Sequence, residues 1–312
     1  MKKLENNNTP VLLITYKRPK NTEKLIKILL ENKIKNIFIY NNGPINSVDF
    51  EDCNNTKIVV KKYSEIYSNI RVLYKKENTG LKYNIPEAIN WVFDSFEKVI
   101  ILEDDCIPNN LFFLFCNELL NKYAKNLRIG QICGSNFINN RNFKRKNQDS
   151  YFFSNIINCW GWATWKNRWT NVHDIEMKNW PNIKKNKIVE NFFNNKKNSD
   201  YFNKMFDANY PNNIIWDRAW FLTSILNNRL TIIPDKNLIS NIGFDTKASG
   251  PNPKKYNSLK HENLDFPLKH PGIVEIDNDC DQFLINEGFL NPPLKYRIMN
   301  KLKKIFFLNN NH

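Results

Sequence analysis

Apolar residues fall along this chain in short runs between polar turns, and the runs alternate between a strand type and a helix type. Val11 to Thr15 is continuous and rich in branched residues, which predicts a strand covered on both faces. Pro19 follows, and Asn21 or Thr22 can cap a helix that runs to about Leu30. Residues 34–40 read as a second strand, ended by the turn signal Asn41-Asn42-Gly43-Pro44. Residues 58–61 read as a lesser strand and Ile70 to Tyr74 as a better one. After the break at Asn78-Thr79-Gly80, the residues Ile85, Ala88, Ile89, Val92 and Phe93 share one helical face, which predicts a helix over 84–96. Residues 98–102 are again almost wholly apolar and run into Glu103-Asp104-Asp105.

This order predicts a doubly wound α/β fold with a mostly parallel central sheet of Rossmann-like character, flanked by helices. Ligands in such sheets bind beyond the carboxyl ends of the strands. The loops that fall there are Tyr16-Lys17-Arg18, Asn41-Asn42-Gly43 and Glu103-Asp104-Asp105, and all three are polar. Further on, the pattern predicts an aromatic-rich helix over 111–123, a strand over 131–137 and a loop over 139–149. A Lys/Asn-rich helix or connector follows over 180–198, then a helix over 213–227 and short strands at 230–234 and 238–240. The Gly, Ser, Asn and Pro of 241–256 predict a loop. The expected organisation is a nucleotide-binding half over 1–135 fused to an acceptor-binding half over 136–312.

Composition narrows the class. With 41% hydrophobic residues in 312, the chain can bury a core, so global disorder is excluded. The net charge of +15 fits a phosphorylated small substrate or an anionic membrane surface, or is plain lysine-rich composition. No nucleic-acid-binding module or aromatic-basic stripe is visible, so nucleic acid is not an expected partner. The six cysteines form no CxxC pair and read as reduced, buried thiols. Four histidines, all singletons, argue against a histidine metal cage, and His270 before Pro271-Gly272 is the least bland of them. No run is long enough to span a membrane and residues 1–10 hold no apolar stretch, so the expectation is cytoplasmic. The basic and apolar segment 301–308 reads either as a docked helix or as a tail lying on the inner face of the cytoplasmic membrane.

Carboxylates at the end of an apolar strand suit a hard divalent cation held by few protein ligands, with positions left for phosphate oxygens and water. They equally suit a solvated turn. Arg18, on the first rim loop, is placed to face a diphosphate, and Asn41 or Asn42 to read a nucleobase edge. Asp217, between Trp216 and Arg218 at a helix start, is placed either as a general base or as an ion-pair partner of Arg218. Lys247, with Lys254 and Lys255, lies in a segment suited to folding over a diphosphate.

These residues, taken in order, resemble a known family. The segments Thr15-Tyr16-Lys17-Arg18-Pro19, Asn41-Asn42-Gly43, Asn78-Thr79-Gly80-Leu81 and Val99-Ile100-Ile101-Leu102-Glu103-Asp104-Asp105 look like the nucleotide-binding half of GT-A glycosyltransferases. Cys159-Trp160-Gly161-Trp162-Ala163-Thr164-Trp165, Trp216-Asp217 and Asn241-Ile242-Gly243-Phe244 extend the likeness into the second half. The set resembles bacterial sugar-nucleotide transferases of surface-polysaccharide loci and is similar to the inverting N-acetylglucosaminyltransferase I.

The resemblance implies transfer of a sugar, N-acetylglucosamine or another hexose, from a UDP-sugar to a hydroxyl of a surface glycan or lipid-linked oligosaccharide. Asp105 would bind manganese or magnesium, and Glu103 and Asp104 would support it or touch ribose and base. Thr15, Arg18, Asn41, Asn42, Lys82 and Lys247 would contact the donor nucleotide. Trp160 and Trp162 would shape the sugar and acceptor cleft. Asp217 would take the acceptor proton, and 242–256 would close on the donor. The residue after Asp217 is acidic in related transferases and is Arg218 here. The competing readings are nucleotidylyl transfer to a sugar phosphate and a non-catalytic, membrane-associated glycan-binding protein. The first of these lacks a Gly-rich loop with a trailing Lys after the first strand.

Overall fold

The computed structural model describes residues 8–138, 143, 145–243 and 260–286. The first half runs β1 (Val11–Thr15), α1 (Pro19–Glu31), β2 (Ile37–Asn41), α2 (Phe50–Ile66), β3 (Ile70–Tyr74), α3 (Leu81–Phe93) and β4 (Lys98–Glu103). It continues with β5 (Cys106–Pro108), α4 (Asn110–Lys122), β6 (Ile129–Cys133), β7 (Tyr151–Ser154) and β8 (Trp162–Trp165). Then come α5 (Lys166–Trp169), α6 (Trp180–Lys185), α7 (Ile188–Phe193), α8 (Lys196–Asn209) and α9 (Trp216–Leu226). The last described elements are β9 (Leu230–Pro234), β10 (Ile239–Asn241) and α10 (Asn278–Ile285).

Among the described residues the strands form an eight-stranded sheet, in the order β3-β2-β1-β4-β8-β6-β9-β7, and a ribbon of β5 with β10. β3, β2, β1 and β4 pair in parallel. β8 is antiparallel to both β4 and β6, β6 is parallel to β9, and β7 is antiparallel to β9. The expected α/β class with a mostly parallel central sheet is therefore present. The sheet also runs without a break across residue 135, because β4 finds its next partner in β8.

Alternate residues of a strand face opposite sides, so a strand with helices on both sides must be apolar throughout. In β1, Val11 and Leu13 pack with Leu25, Ile26 and Leu29 of α1, while Leu12 and Ile14 pack with Ile85, Ala88 and Ile89 of α3. Each such side chain contributes about 1.5–3 kcal/mol on burial. The expected strand at 58–61 lies inside α2 instead. Its branched Ile58-Val59-Val60 run mimics a strand, but Cys53, Thr56, Val60 and Tyr63 are buried at helical spacing, and Ile58 is 57% exposed. The ambiguous stretch 180–198 resolves into α6, α7 and the start of α8, where the Asn195 side chain caps the helix by accepting from Asn198 N–H at 3.1 Å.

The parallel strands deliver the loops after β1, β2 and β4 to one rim, and β6 and β9 run the same way. All six cysteines are free thiols, five of them buried. Among the described residues no helix is long and apolar enough to cross a membrane. Of the segment 242–256, expected to close on the donor, residues 244–256 lie outside the described residues, as does the segment 301–308 read as a docked helix or a membrane-facing tail.

Candidate active site

β4 ends on Glu103, and Asp104 and Asp105 form the turn into β5. Asp104 is 4% exposed and its carboxylate is fully engaged with the loop after β1. Its Oδ2 accepts the Tyr16 backbone N–H at 2.9 Å and its Oδ1 accepts Arg18 Nη1 at 2.6 Å. The same Arg18 Nη1 donates to Asp105 Oδ2 at 3.1 Å. One guanidinium thus ties the β1 rim to two consecutive carboxylates of the β4 rim.

Asp217 enters from α9. It sits in the first helical turn, where a negative charge meets the positive end of the helix dipole. The helix start is fixed by Trp216, which stacks on Trp162 with ring centroids 5.8 Å apart, and Trp162 in turn packs against Trp169 and Trp220. Asp217 Oδ1 is buried and accepts no hydrogen bond. Arg218 Nε stands 3.9 Å from it, a long ion pair, while Arg218 Nη1 bonds Met205 Sδ at 3.0 Å. Asp217 therefore keeps a free acceptor.

Glu103 feels the other three carboxylates. Burial first, then the charges of Asp105, Asp104 and Asp217, together raise it to about 8 against the opposing Arg18 charge. Burial also raises Asp104, with Arg18 again opposing. Asp217, distant in sequence, is thus near enough to Glu103 for its charge to raise that carboxyl. The carboxyl groups here outnumber the Arg18 guanidinium, and a hard dication would favour their ionised form and suit their oxygens. Among the described residues no group of three His, Cys, Asp or Glu converges as a complete metal cage. The donor set suits an ion held by one or two carboxylates, with its other positions open to substrate oxygens and water.

Several expected donor contacts are placed otherwise. Thr15 and Asn41 are 1% and 3% exposed, and Asn41 Nδ2 donates to Thr15 Oγ1 at 2.9 Å, so the pair pins β1 to β2. Asn42 keeps a buried Oδ1 with no partner. Lys82 is taken up by Glu176 at 2.7 Å and makes no ion pair with the triplet. Trp162, 1% exposed, is core; it supports α9 and offers no ring to a cleft. Trp160 is half-buried, edge-on to Phe137. Lys247 lies outside the described residues. His270, the least bland histidine, is a packing residue that bonds Tyr151 Oη at 2.9 Å.

One residue escaped the sequence reading, and another was named there without the role its position gives it. Asp49, on the rim beyond β2, accepts Tyr16 Oη and Lys17 Nζ, each at 2.6 Å. Its signal was weak because it follows the Asn46 cap of a short 3-10 turn and looks like helix-start polarity. Gly243 lies against Asp105, brought there by pairing of Asn241 with Cys106 in the β5–β10 ribbon. Two surface concavities of about 270 and 400 Å³ are lined by other residues, the first around His173 and Asn90, the second around Asn136 and Asp235.

No family model matches the sequence, and no curated protein matches it. Among solved structures the chain resembles the mannosyltransferase PcManGT of Pyrobaculum calidifontis, in complex with GDP-Man and Mn2+, at 15% identity and a TM-score of 0.38. That match covers 51% of this chain and 45% of the other, so it spans less than half of the mannosyltransferase. The chain also resembles the 4-diphosphocytidyl-2C-methyl-D-erythritol synthase of Anaerococcus prevotii, at 13% identity and TM-score 0.34, over 52% of this chain and 72% of that one. A mannose-1-phosphate geranyltransferase of Thermus thermophilus matches at 8% identity and TM-score 0.28, over 46% and 45%.

Proposed function

We propose that the protein is a metal-dependent, inverting glycosyltransferase of the GT-A type. The observation that supports this reading is the electrostatic influence of a residue of the second half on the carboxylate turn of the first. Asp217, a carboxylate with an unused acceptor on α9, shares the electrostatic field of the Glu103-Asp104-Asp105 turn on β4.

In this reading Asp105, with support from Glu103, would hold Mn2+ or Mg2+. When bound, that ion supplies positive charge to the departing diphosphate. Arg18 binds and orients the diphosphate from the β1 rim, and Asp104 orients Arg18. Asn42 offers its unused acceptor to the nucleotide. Asp217 takes the proton of an acceptor hydroxyl as the oxygen attacks the anomeric carbon, and the nucleoside diphosphate leaves on the opposite side with inversion. The buried tryptophans behind α9 hold the start of the helix that carries Asp217. We further propose a UDP-sugar of the N-acetylglucosamine or hexose type as donor, and a bacterial surface glycan or lipid-linked oligosaccharide as acceptor. Residues 1–135 carry the donor contacts and 136–312 the base.

The test is nucleoside diphosphate release from a panel of UDP- and GDP-sugars with Mn2+, with and without EDTA. Turnover of at least one donor, lost in EDTA, is expected. Asp217→Asn should lower transfer by about 10²–10⁴-fold, the range of general base catalysis, while donor binding stays within twofold. If no nucleotide-sugar binds or turns over, the reading fails. If pyrophosphate is instead released from a nucleoside triphosphate and a sugar phosphate, the activity is nucleotidylyl transfer.

A further inference from the structure

Asp105 is held on its backbone as well as its side chain. Its carbonyl accepts Ile242 N–H at 2.8 Å, next to the pairing of Asn241 with Cys106. The strand end is braced in turn, since Gly243 N–H donates to Asn241 Oδ1 at 2.8 Å. The Asp105 carboxylate then lies directly over Gly243. A Cβ at residue 243 would come within 2.9 Å of Asp105 Cβ and Cγ, and nearer still to Oδ2. Real Cβ atoms do not approach side chains so closely, so either the strand or the carboxylate would have to move.

Glycine is not needed at 243 for its backbone freedom. The glycines with positive φ are Gly80 and Gly161 among the described residues, and Gly243 is not one of them. The requirement is room, and the room is filled by one carboxylate. The same carboxylate is also held by Arg18, whose Nη1 reaches Oδ2 at 3.1 Å. The ribbon hydrogen bonds hold the strand, so an added methyl group displaces the softer partner, the Asp105 side chain.

We propose that Gly243 is a positioning residue for the cation site: its missing side chain lets the β5–β10 ribbon act as the floor on which the Asp105 carboxylate rests in ligating geometry. This rests on the reading of Asp105 as the metal ligand. It assigns to the Asn241-Ile242-Gly243 segment a task separate from any contact with donor or acceptor. Ligating carboxylates need a fixed orientation, and loss of an orienting partner typically weakens metal binding about 10–100-fold.

The experiment uses the full chain. Mn2+ binding is titrated by electron paramagnetic resonance, with UDP and GDP added in separate series, for wild type and Gly243→Ala. Thermal melts without metal are run on both, and on each in an Asp105→Gly background. Gly243→Ala should weaken Mn2+ binding by about tenfold or more. Any fall in Tm it causes should disappear beside Asp105→Gly, where the clashing atoms are gone. Equal Mn2+ affinity for wild type and Gly243→Ala overturns the inference and leaves the metal reading standing. A Tm loss of the same size in both backgrounds also overturns it, because the crowding would then be with something other than Asp105. Wild type that binds no Mn2+ with either nucleotide overturns the metal reading itself, and the inference with it.

Discussion

Single carboxylates in this molecule acquire different chemistry from their surroundings. Asp104 accepts two hydrogen bonds and joins two loops, while Asp217 keeps a free buried oxygen. Asp281 is a third case. Burial pushes its carboxyl from 3.8 up to about 7, although Ser154 Oγ–H and the Asn155 N–H at 2.8 Å donate to it and oppose the shift. A raised value means that the folded chain binds a proton that the unfolded chain has released. The stability from this group is thus complete below about pH 4 and is lost as pH rises through 7. Asp281→Asn mimics the protonated form, because its amide can still accept from Asn155 and donate to Ser154. The expected outcome is a Tm that declines less than wild type between pH 5 and 8, read by thermal melts across that range. Parallel Tm curves for the two proteins would show that Asp281 does not titrate there.

At the scale of elements, the placement of α9 decides whether Asp217 faces the triplet. Its register is set by the cluster Trp162, Trp169, Trp216 and Trp220, together with the Trp220 Nε1–H donated to Gln131 Oε1 at 2.6 Å. Trp162→Ala should cost about 3–5 kcal/mol, the range for removing a large buried aromatic. Chemical denaturation measures it, and Trp162→Phe should lose much less. A change under about 1 kcal/mol for Trp162→Ala would mean the cluster is not what fixes the helix. The tryptophans were conspicuous in the sequence, but their meaning was not. Cys159-Trp160-Gly161-Trp162 suggests a cleft, yet strand alternation in β8 turns Trp162 into the core, where it is 1% exposed. Asn41 is a second case of a contact that only the tertiary structure sets. Its rim position was legible, but its bond to Thr15 depends on the register of β1 against β2.

The whole molecule is organised around one sheet that both halves share. β4 pairs with β8 along Lys98 to Ile101, so a fragment ending at residue 135 would expose a buried strand edge and lose Trp162 from its core. The expected outcome is that a 1–135 fragment aggregates or stays unfolded by circular dichroism, whereas the full chain melts with one main transition. A folded, soluble fragment would establish two independent units.

What the sequence determined by itself is the part written in periodicity. Continuous apolar runs require strands covered on both faces, the helical stripes between them require crossovers, and that order puts the polar loops on one rim. The Glu103-Asp104-Asp105 turn and Arg18 follow directly, because each sits one step beyond a strand end. Tertiary structure alone decided which rim residues keep free atoms. It spent Thr15, Asn41 and Lys82 on internal bonds, set Asp49 between Tyr16 and Lys17, and laid Gly243 under Asp105. Those contacts join residues up to more than a hundred positions apart. Their distances follow from sheet register and ribbon pairing, which local pattern does not encode.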